Sequence, residues 1–231
     1  VFGAAIVRGY SGFGFSALVV AGAALLTDHP LEAVGLVLIC EVVMTAQAAR
    51  AVWRDVDWGC TGRLMAGALL GMPLGVFALA AVPVDVARAV VSLFVLAMCA
   101  VLLSGWRARR VLRGGPELGV GLVSGLANAA AMAGLPVAAF LAAQPIAPAA
   151  FRATLILYFA GIDLITVPVL WQAGLFSPAA LLALVWMLPL VLLGNWAGSR
   201  QFLRTLPQEF RRLAIGLLSG LAVLGLMRAV L

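Results

Sequence analysis

The sequence predicts an all-α polytopic membrane protein built as two inverted repeats, each a broken, re-entrant helical hairpin followed by three transmembrane helices. Three observations predict it. The chain of 231 residues is 65% hydrophobic and only 10% charged, with a mean hydropathy of +1.15. Its apolar runs each lie close to the ~20 residues that carry a helix across about 30 Å of hydrocarbon. Two of those runs are broken by glycine, and the residues around the breaks echo each other half a chain apart.

The first run, 1–26, contains Arg8, Gly9, Gly12 and Gly14 in an otherwise apolar stretch. A glycine break inside lipid bares backbone N–H and C=O groups, which is tolerated only beside protein or a water-filled cavity. A cation next to such a break marks a functional site by default. The spacing predicts a half-helix ending near Arg8 and a second one beginning near Phe15. Runs 31–49, 59–81 and 86–105 follow as transmembrane helices; the first of these carries a mid-segment carboxylate, Glu41. In 59–81, Gly71 and Gly75 form a small-x-x-x-small pattern, which packing of helix on helix accounts for.

The stretch 106–116 is a basic loop with Arg107, Arg109, Arg110 and Arg113. Run 117–143 is broken at Met132-Ala-Gly-Leu-Pro136, and 150–171, 178–196 and 210–231 complete the chain. Asp163 lies deep in the first of these last three, and Gly194 and Gly198 repeat the spaced glycines in the second. The opening has no basic region, so no cleavable signal is read, and the start at Val1 implies that residues precede it.

Arginine counting orients these segments, because cytoplasmic loops carry the excess of positive charge. If all eight runs cross, eight arginines fall inside and six outside, which is hardly a bias. If 117–143 enters and leaves on one face, twelve fall inside, only Arg88 and Arg228 outside, and Arg8 stays within the membrane. The fifth run is therefore read as re-entrant. The repeat extends that reading to the first run. Val82-Pro-Val-Asp-Val-Ala-Arg88 is echoed by Leu206-Pro-Gln-Glu-Phe-Arg-Arg212, Gly71/Gly75 by Gly194/Gly198, and Pro30 by Pro148. One hairpin plus three crossings is odd, so the halves 1–105 and 117–231 are inverted, and the hairpin tips meet near the midplane.

Composition excludes several classes. The net charge of +6 and pI near 10.6 come entirely from arginines, which cluster at segment ends, and that is membrane orientation and not a nucleic-acid face. Cys40, Cys60 and Cys99 fit neither a disulfide framework nor a metal site, and His29 reads as a loop residue. No His-Glu-x-x-His, Gly-x-Ser-x-Gly or lysine dyad is present, so an enzyme is not expected and no cofactor is implied.

The break Gly9-Tyr-Ser-Gly-Phe-Gly-Phe15 after Arg8, the phrase Phe151-Arg-Ala-Thr-Leu155 and Gly194-Asn-Trp-Ala-Gly-Ser-Arg200 resemble the sulfite exporter TauE/SafE family, of the toluene sulfonate uptake permease group. The resemblance spans nearly the whole chain. It implies movement of small anions, commonly sulfite or organosulfonates, across the bacterial inner membrane. One departure is visible: where the family often has a Gly-Gly-Pro-Pro-like second break, this chain has Ala133-Gly-Leu-Pro136, leaving fewer backbone N–H groups.

The residues then suggest a site. Arg8 and the N–H groups opening the second half-helix, with the positive end of its dipole, suit an oxyanion, and a guanidinium clasps two oxygens at once. Ser11, Gly12, Phe13, Gly14, Phe15 and Ser16 line this break. Both serines have the alternative of bonding helix carbonyls, and the phenylalanines of plain packing. Asn128 stands at the repeat position of Arg8, with Met132 and Gly134 at the second break. Glu41 and Asp163 are proton-coupling candidates, their alternative being helix contacts or partners for Arg8 or Arg152. The expectation is a secondary transporter working by alternating access, with a passive anion channel as the rival. Its partners are a small anion, the bilayer and protons; the sequence is compatible with a homo-oligomer.

Overall fold

A computed structural model describes residues 1–16, 18–19, 30–81, 97, 107–128, 134–172, 178–204, 216 and 220. The expected helices 86–105 and 210–231, the second arm of the first hairpin, His29, Cys99 and Met132 lie wholly or almost wholly outside the described residues. Within them every regular element is helical: α1 (Phe2–Ser11), α2 (Pro30–Val52), α3 (Trp58–Ala80), α4 (Gly115–Asn128), α5 (Gly134–Ala143), α6 (Pro148–Gln172) and α7 (Pro178–Phe202). Two stretches, Pro148–Pro168 of α6 and Leu182–Phe202 of α7, are long and apolar enough to cross a membrane.

The helix starts follow from local chemistry. α2, α6 and α7 each open on a proline, whose fixed φ and missing N–H suit the first helical position. α3 is capped by Asp57, whose carboxylate accepts the Cys60 N–H at 2.9 Å. α4 begins after Gly114, and Glu117 reaches back to accept the Gly114 N–H at 2.7 Å.

Some sequence-read boundaries move. α2 runs three residues beyond 49, and α7 continues past 196 to Phe202, so Arg200 lies in a helical last turn and not in a loop. A cation there is favoured by the negative helix end, and Arg200 also stacks on the Trp196 ring at 4.5 Å. α1 continues past Arg8 to Ser11, so Gly9 is a helical residue and the break starts at Gly12.

The chain divides into two compact units. One holds Val1–Val56 and Leu155–Leu206. Its core joins Ala5 of α1, Phe15 after the break, Val37, Cys40 and Met44 of α2, and Val191 of α7. α1 lies directly along α7, backbone against backbone. A Cβ built on Gly198 would stand 2.1 Å from Ile6 O, and one on Gly9 would stand 2.2 Å from Asn195 O. Ser199 Oγ donates to Gly9 O at 3.3 Å, and Tyr10 meets Phe202 edge-on at 6.3 Å.

The other unit holds Asp57–Thr154 and Pro207–Leu231. Here α4 lies along α3 in the same way. A Cβ on Gly71 would stand 2.2 Å from Leu122 O, and one on Gly121 would stand 2.1 Å from Leu64 O. The spaced glycines read as packing residues are packing residues, and what each pair packs against is a short helix, α1 or α4.

The two ends of the broken segment 117–143 meet. Leaving α5, the Ala143 carbonyl accepts the Ala108 N–H at 2.9 Å, and Gln144 Oε1 accepts the Leu112 N–H at 2.9 Å. Residues 108 and 112 belong to the loop that leads into α4. That same end holds the start of α3, since Arg113 pairs with Asp57 at 3.1 Å and Arg63 with Glu117. The start of α6 is there too, because the Asp57 N–H donates to Thr154 Oγ1 at 3.2 Å. A small cavity sits among these groups, lined by Asp57, Cys60, Glu117, Gln144 and Thr154 among others.

Candidate functional site

The first break is built by glycine. Gly12 closes α1 with φ of 86° and sends its N–H to Arg8 O at 2.7 Å, and Gly14 follows with φ of 92°. Both lie in the left-handed region that glycine enters without a Cβ penalty. The backbone is helical again at Phe15 and Ser16, and the Leu18 N–H donates to Gly14 O at 3.1 Å. Ser11 holds the turn together: its hydroxyl lies 2.8 Å from Val7 O and 3.0 Å from Phe13 O, and it accepts the Phe13 N–H at 3.4 Å. That single hydroxyl proton is therefore committed to carbonyls of the break.

Arg8 points into the unit and is 1% exposed. Its Nη2 donates to Thr45 Oγ1 at 2.8 Å and to the Glu41 carbonyl at 3.3 Å. Thr45 Oγ1 in turn donates to that same carbonyl at 2.9 Å. The Glu41 carboxylate faces the guanidinium, with Oε1 3.7 Å from Nε, and the Ser16 N–H donates to the same Oε1 at 3.4 Å. Glu41 thus occupies the place expected for an oxyanion: beside Arg8 and at the N–H groups opening the second half-helix. Asp163 of α6 joins the group, within side-chain hydrogen-bonding reach of Glu41 and in the field of Arg8. Glu41 and Asp163 are 5% and 3% exposed, so the whole cluster is shielded from water.

The edge of the guanidinium that faces Glu41 makes no hydrogen bond. Among the described residues, Arg8 Nε and Nη1 have no hydrogen-bond partner, and neither does Asp163 Oδ2. Buried N–H groups of a cation are costly to leave without acceptors, so this edge of Arg8 is suited to receive one. Ion pairing at 3.7 Å supplies charge balance without a hydrogen bond.

Of the residues expected at the site, Arg8, Gly12, Gly14, Ser16, Glu41 and Asp163 gather in one unit. Phe13 and Phe15 are buried there too, and Phe15 belongs to the apolar core. Asn128 ends α4 and Gly134 opens α5 in the other unit, both half-buried on either side of the second break; Met132 lies outside the described residues. Sequence reasoning missed Thr45, one turn after Glu41. It also missed Asn195, which donates to Met44 O at 3.3 Å and Gln47 Oε1 at 2.7 Å and so ties α7 to α2. The position of Asn195 between Gly194 and Gly198 was the available signal.

Two helices long and apolar enough to span a bilayer, a helix broken by left-handed glycines and a shielded cation one turn before the break fit a membrane transport protein. The chain belongs to the sulfite exporter TauE/SafE family, whose model matches residues 1–225. Members of that family are transporters of sulfite and related anions, which fits a role other than catalysis. No curated protein and no solved structure matches the chain.

Proposed function

We propose that this chain is a secondary transporter that moves a small anion, sulfite or an organosulfonate, across the bacterial inner membrane by alternating access. The observation that carries the reading is the buried Arg8, one turn before the helix break, whose Nε and Nη1 have no hydrogen-bond acceptor among the described residues. A sulfur oxyanion offers two oxygens to that edge, and the N–H groups at Phe15 and Ser16 offer the positive end of a helix. Glu41 lies near the middle of α2 and Asp163 in the inner part of α6, which supports a site well inside the membrane.

The re-entrant, inverted architecture is supported from two sides. Both ends of segment 117–143 lie at one end of their unit, together with the arginine-rich loop and the start of α6. The twelve-to-two arginine count favours the same arrangement. The glycine contacts add a likeness between the halves: α1 on α7 and α4 on α3 use equivalent spaced glycines. On this reading Asn128, Met132 and Gly134 are the second repeat's counterparts of the Arg8 break.

Counterflow in proteoliposomes tests the function, with sulfite, methanesulfonate and small carboxylates compared. One charge-assisted bond contributes about 1.5–3 kcal/mol, so Arg8→Ala is expected to weaken anion binding roughly ten- to more than a hundredfold. Arg8→Lys restores little, because one compact ammonium does not reproduce a planar two-oxygen clasp. Wild-type affinity in a folded Arg8→Ala protein removes the site assignment.

A further inference from the structure

We infer that the substrate anion and the Glu41 carboxylate compete for Arg8, so that each singly charged anion enters together with one proton, which Glu41 takes. The inference rests on the anion site proposed above and adds its coupling and the charge of its substrate.

The cluster contains one cation and two carboxyls, all shielded from water. Arg8 belongs to α1, Glu41 to α2 and Asp163 to α6. Around Glu41, α1 presents Arg8, the second half-helix presents the Ser16 N–H, and α6 presents Asp163. Its own helix presents Cys40 and Thr45. α7 packs on α2 through Asn195 and carries a single charged residue, the exposed Arg200 near its end. Arg50 of α2 and Arg152 of α6 stand nine residues from Glu41 and eleven from Asp163, more than two helical turns away, and Arg8 is the cation whose field reaches Asp163. Two ionised carboxylates beside one guanidinium would leave a buried negative charge, and Asp163 Oδ2 has no hydrogen-bond donor among the described residues. A proton held by Asp163 leaves Arg8 and Glu41 as a neutral pair.

An incoming oxyanion needs the same edge of Arg8 and the same Ser16 N–H that Glu41 now faces. If Glu41 stayed ionised, the site would hold one positive and two negative charges out of water, which is strongly unfavourable. Glu41 leaves Arg8 neutral only by taking a proton from the aqueous phase onto its carboxylate. Arg8 then pairs with the anion, and both carboxyls are neutral. The balance closes for one negative charge and fails for two. The site therefore selects a sulfonate or hydrogen sulfite over doubly charged sulfite, and one cycle moves no net charge.

Methanesulfonate keeps one negative charge across the accessible pH range, which makes it the probe. Its binding to the purified wild-type protein is measured against pH, together with proton uptake reported by an indicator dye. Because only the Glu41-protonated form binds, the apparent Kd is expected to rise about tenfold per pH unit on the alkaline side, with one proton taken up per anion. Glu41→Gln is expected to flatten that dependence and to bind at alkaline pH as tightly as wild type does at acid pH. Asp163→Asn leaves the slope unchanged, since Asp163 keeps its proton throughout. Wild-type binding independent of pH overturns the inference, as does a Glu41→Gln protein that keeps the tenfold slope. If Glu41→Gln fails to fold, the wild-type slope and proton count decide alone. Arg8→Ala separates the two levels. Lost binding there with no pH dependence in wild type leaves the anion site standing and removes the coupling; binding that survives Arg8→Ala removes the site. Absence of methanesulfonate binding at any pH refutes the singly charged sulfur oxyanion.

Discussion

Gly121→Ala and Gly119→Ala lie two residues apart on α4, and the structure sends them in opposite directions. A Cβ on Gly121 would stand 2.1 Å from Leu64 O and 2.8 and 2.9 Å from Leu64 C and Cα. Every one of these atoms is backbone, so no rotamer change relieves the overlap. Real Cβ contacts essentially never fall under 3.0 Å, so α4 would have to retreat from α3 by close to an ångström. That retreat also loosens the approaches at Gly67, Gly71, Gly75 and Gly125, which belong to the same seam. Overpacking of this kind costs about 1–3 kcal/mol, and the rigidity of both partners favours the upper part of that range. At Gly119 a Cβ meets nothing within 4 Å among the described residues. Only the backbone propensity changes there, a gain of up to about 1 kcal/mol. Reversible unfolding of the purified protein in a detergent titration measures both against wild type. The two variants should differ by about 2 kcal/mol or more, with Gly121→Ala the less stable. Equal stabilities would mean that α4 does not lie on α3 through this glycine seam.

Other expectations follow from the break and from the loops. Gly14→Ala forces a side chain into φ of 92°, a cost of about 1–2 kcal/mol, and displaces the Ser16 N–H from Glu41. Transport should fall while the folded yield stays near wild type; unchanged counterflow kinetics would show that the turn geometry does not matter. Single cysteines at Ala108 and Arg204 should both be labelled from the cytoplasmic face, and one placed within 173–177 only from outside. Labelling of the Arg204 position solely from outside would sink the re-entrant assignment of 117–143.

Backbone chemistry was the part legible in the sequence. Glycine clusters inside apolar runs announce a break because few other residues enter left-handed φ, and Gly12 and Gly14 adopt it. The spaced pairs Gly71/Gly75 and Gly194/Gly198 announce close packing for an equally local reason, the missing Cβ. Gly9 shows where this stops. It looks like part of the break, yet it is helical and gives room to the Asn195 backbone, a partner far away in the sequence. The partners of Arg8 were hidden for the same reason. Glu41 and Thr45 lie 33 and 37 positions on, and no periodicity links a cation on one helix to a carboxylate on the next. Sequence reasoning left Glu41 open between proton coupling and a helix contact or a partner for Arg8 or Arg152; the structure sets its carboxylate 3.7 Å from Arg8 Nε. Nor could sequence show that Gln144 and Ala143 bond the arginine loop, since both contacts run partly through main-chain atoms that carry no residue signature.

The contact of α1 with α7 also dictates an order of events at the ribosome. Gly9 and Ser199 bond across 190 positions, so the groove that receives α1 does not exist until nearly 190 residues more have been made. At typical synthesis rates that wait is roughly ten to forty seconds. Meanwhile Arg8 has Glu41 and Thr45 available early, since both lie on α2, whereas its helix has nothing to lie against. α4 has no such delay, because α3 precedes it. A nascent chain stalled before Gly194 would therefore leave α1 without the backbone surface it packs on. The seating of α1 on α7 is a late step of biogenesis.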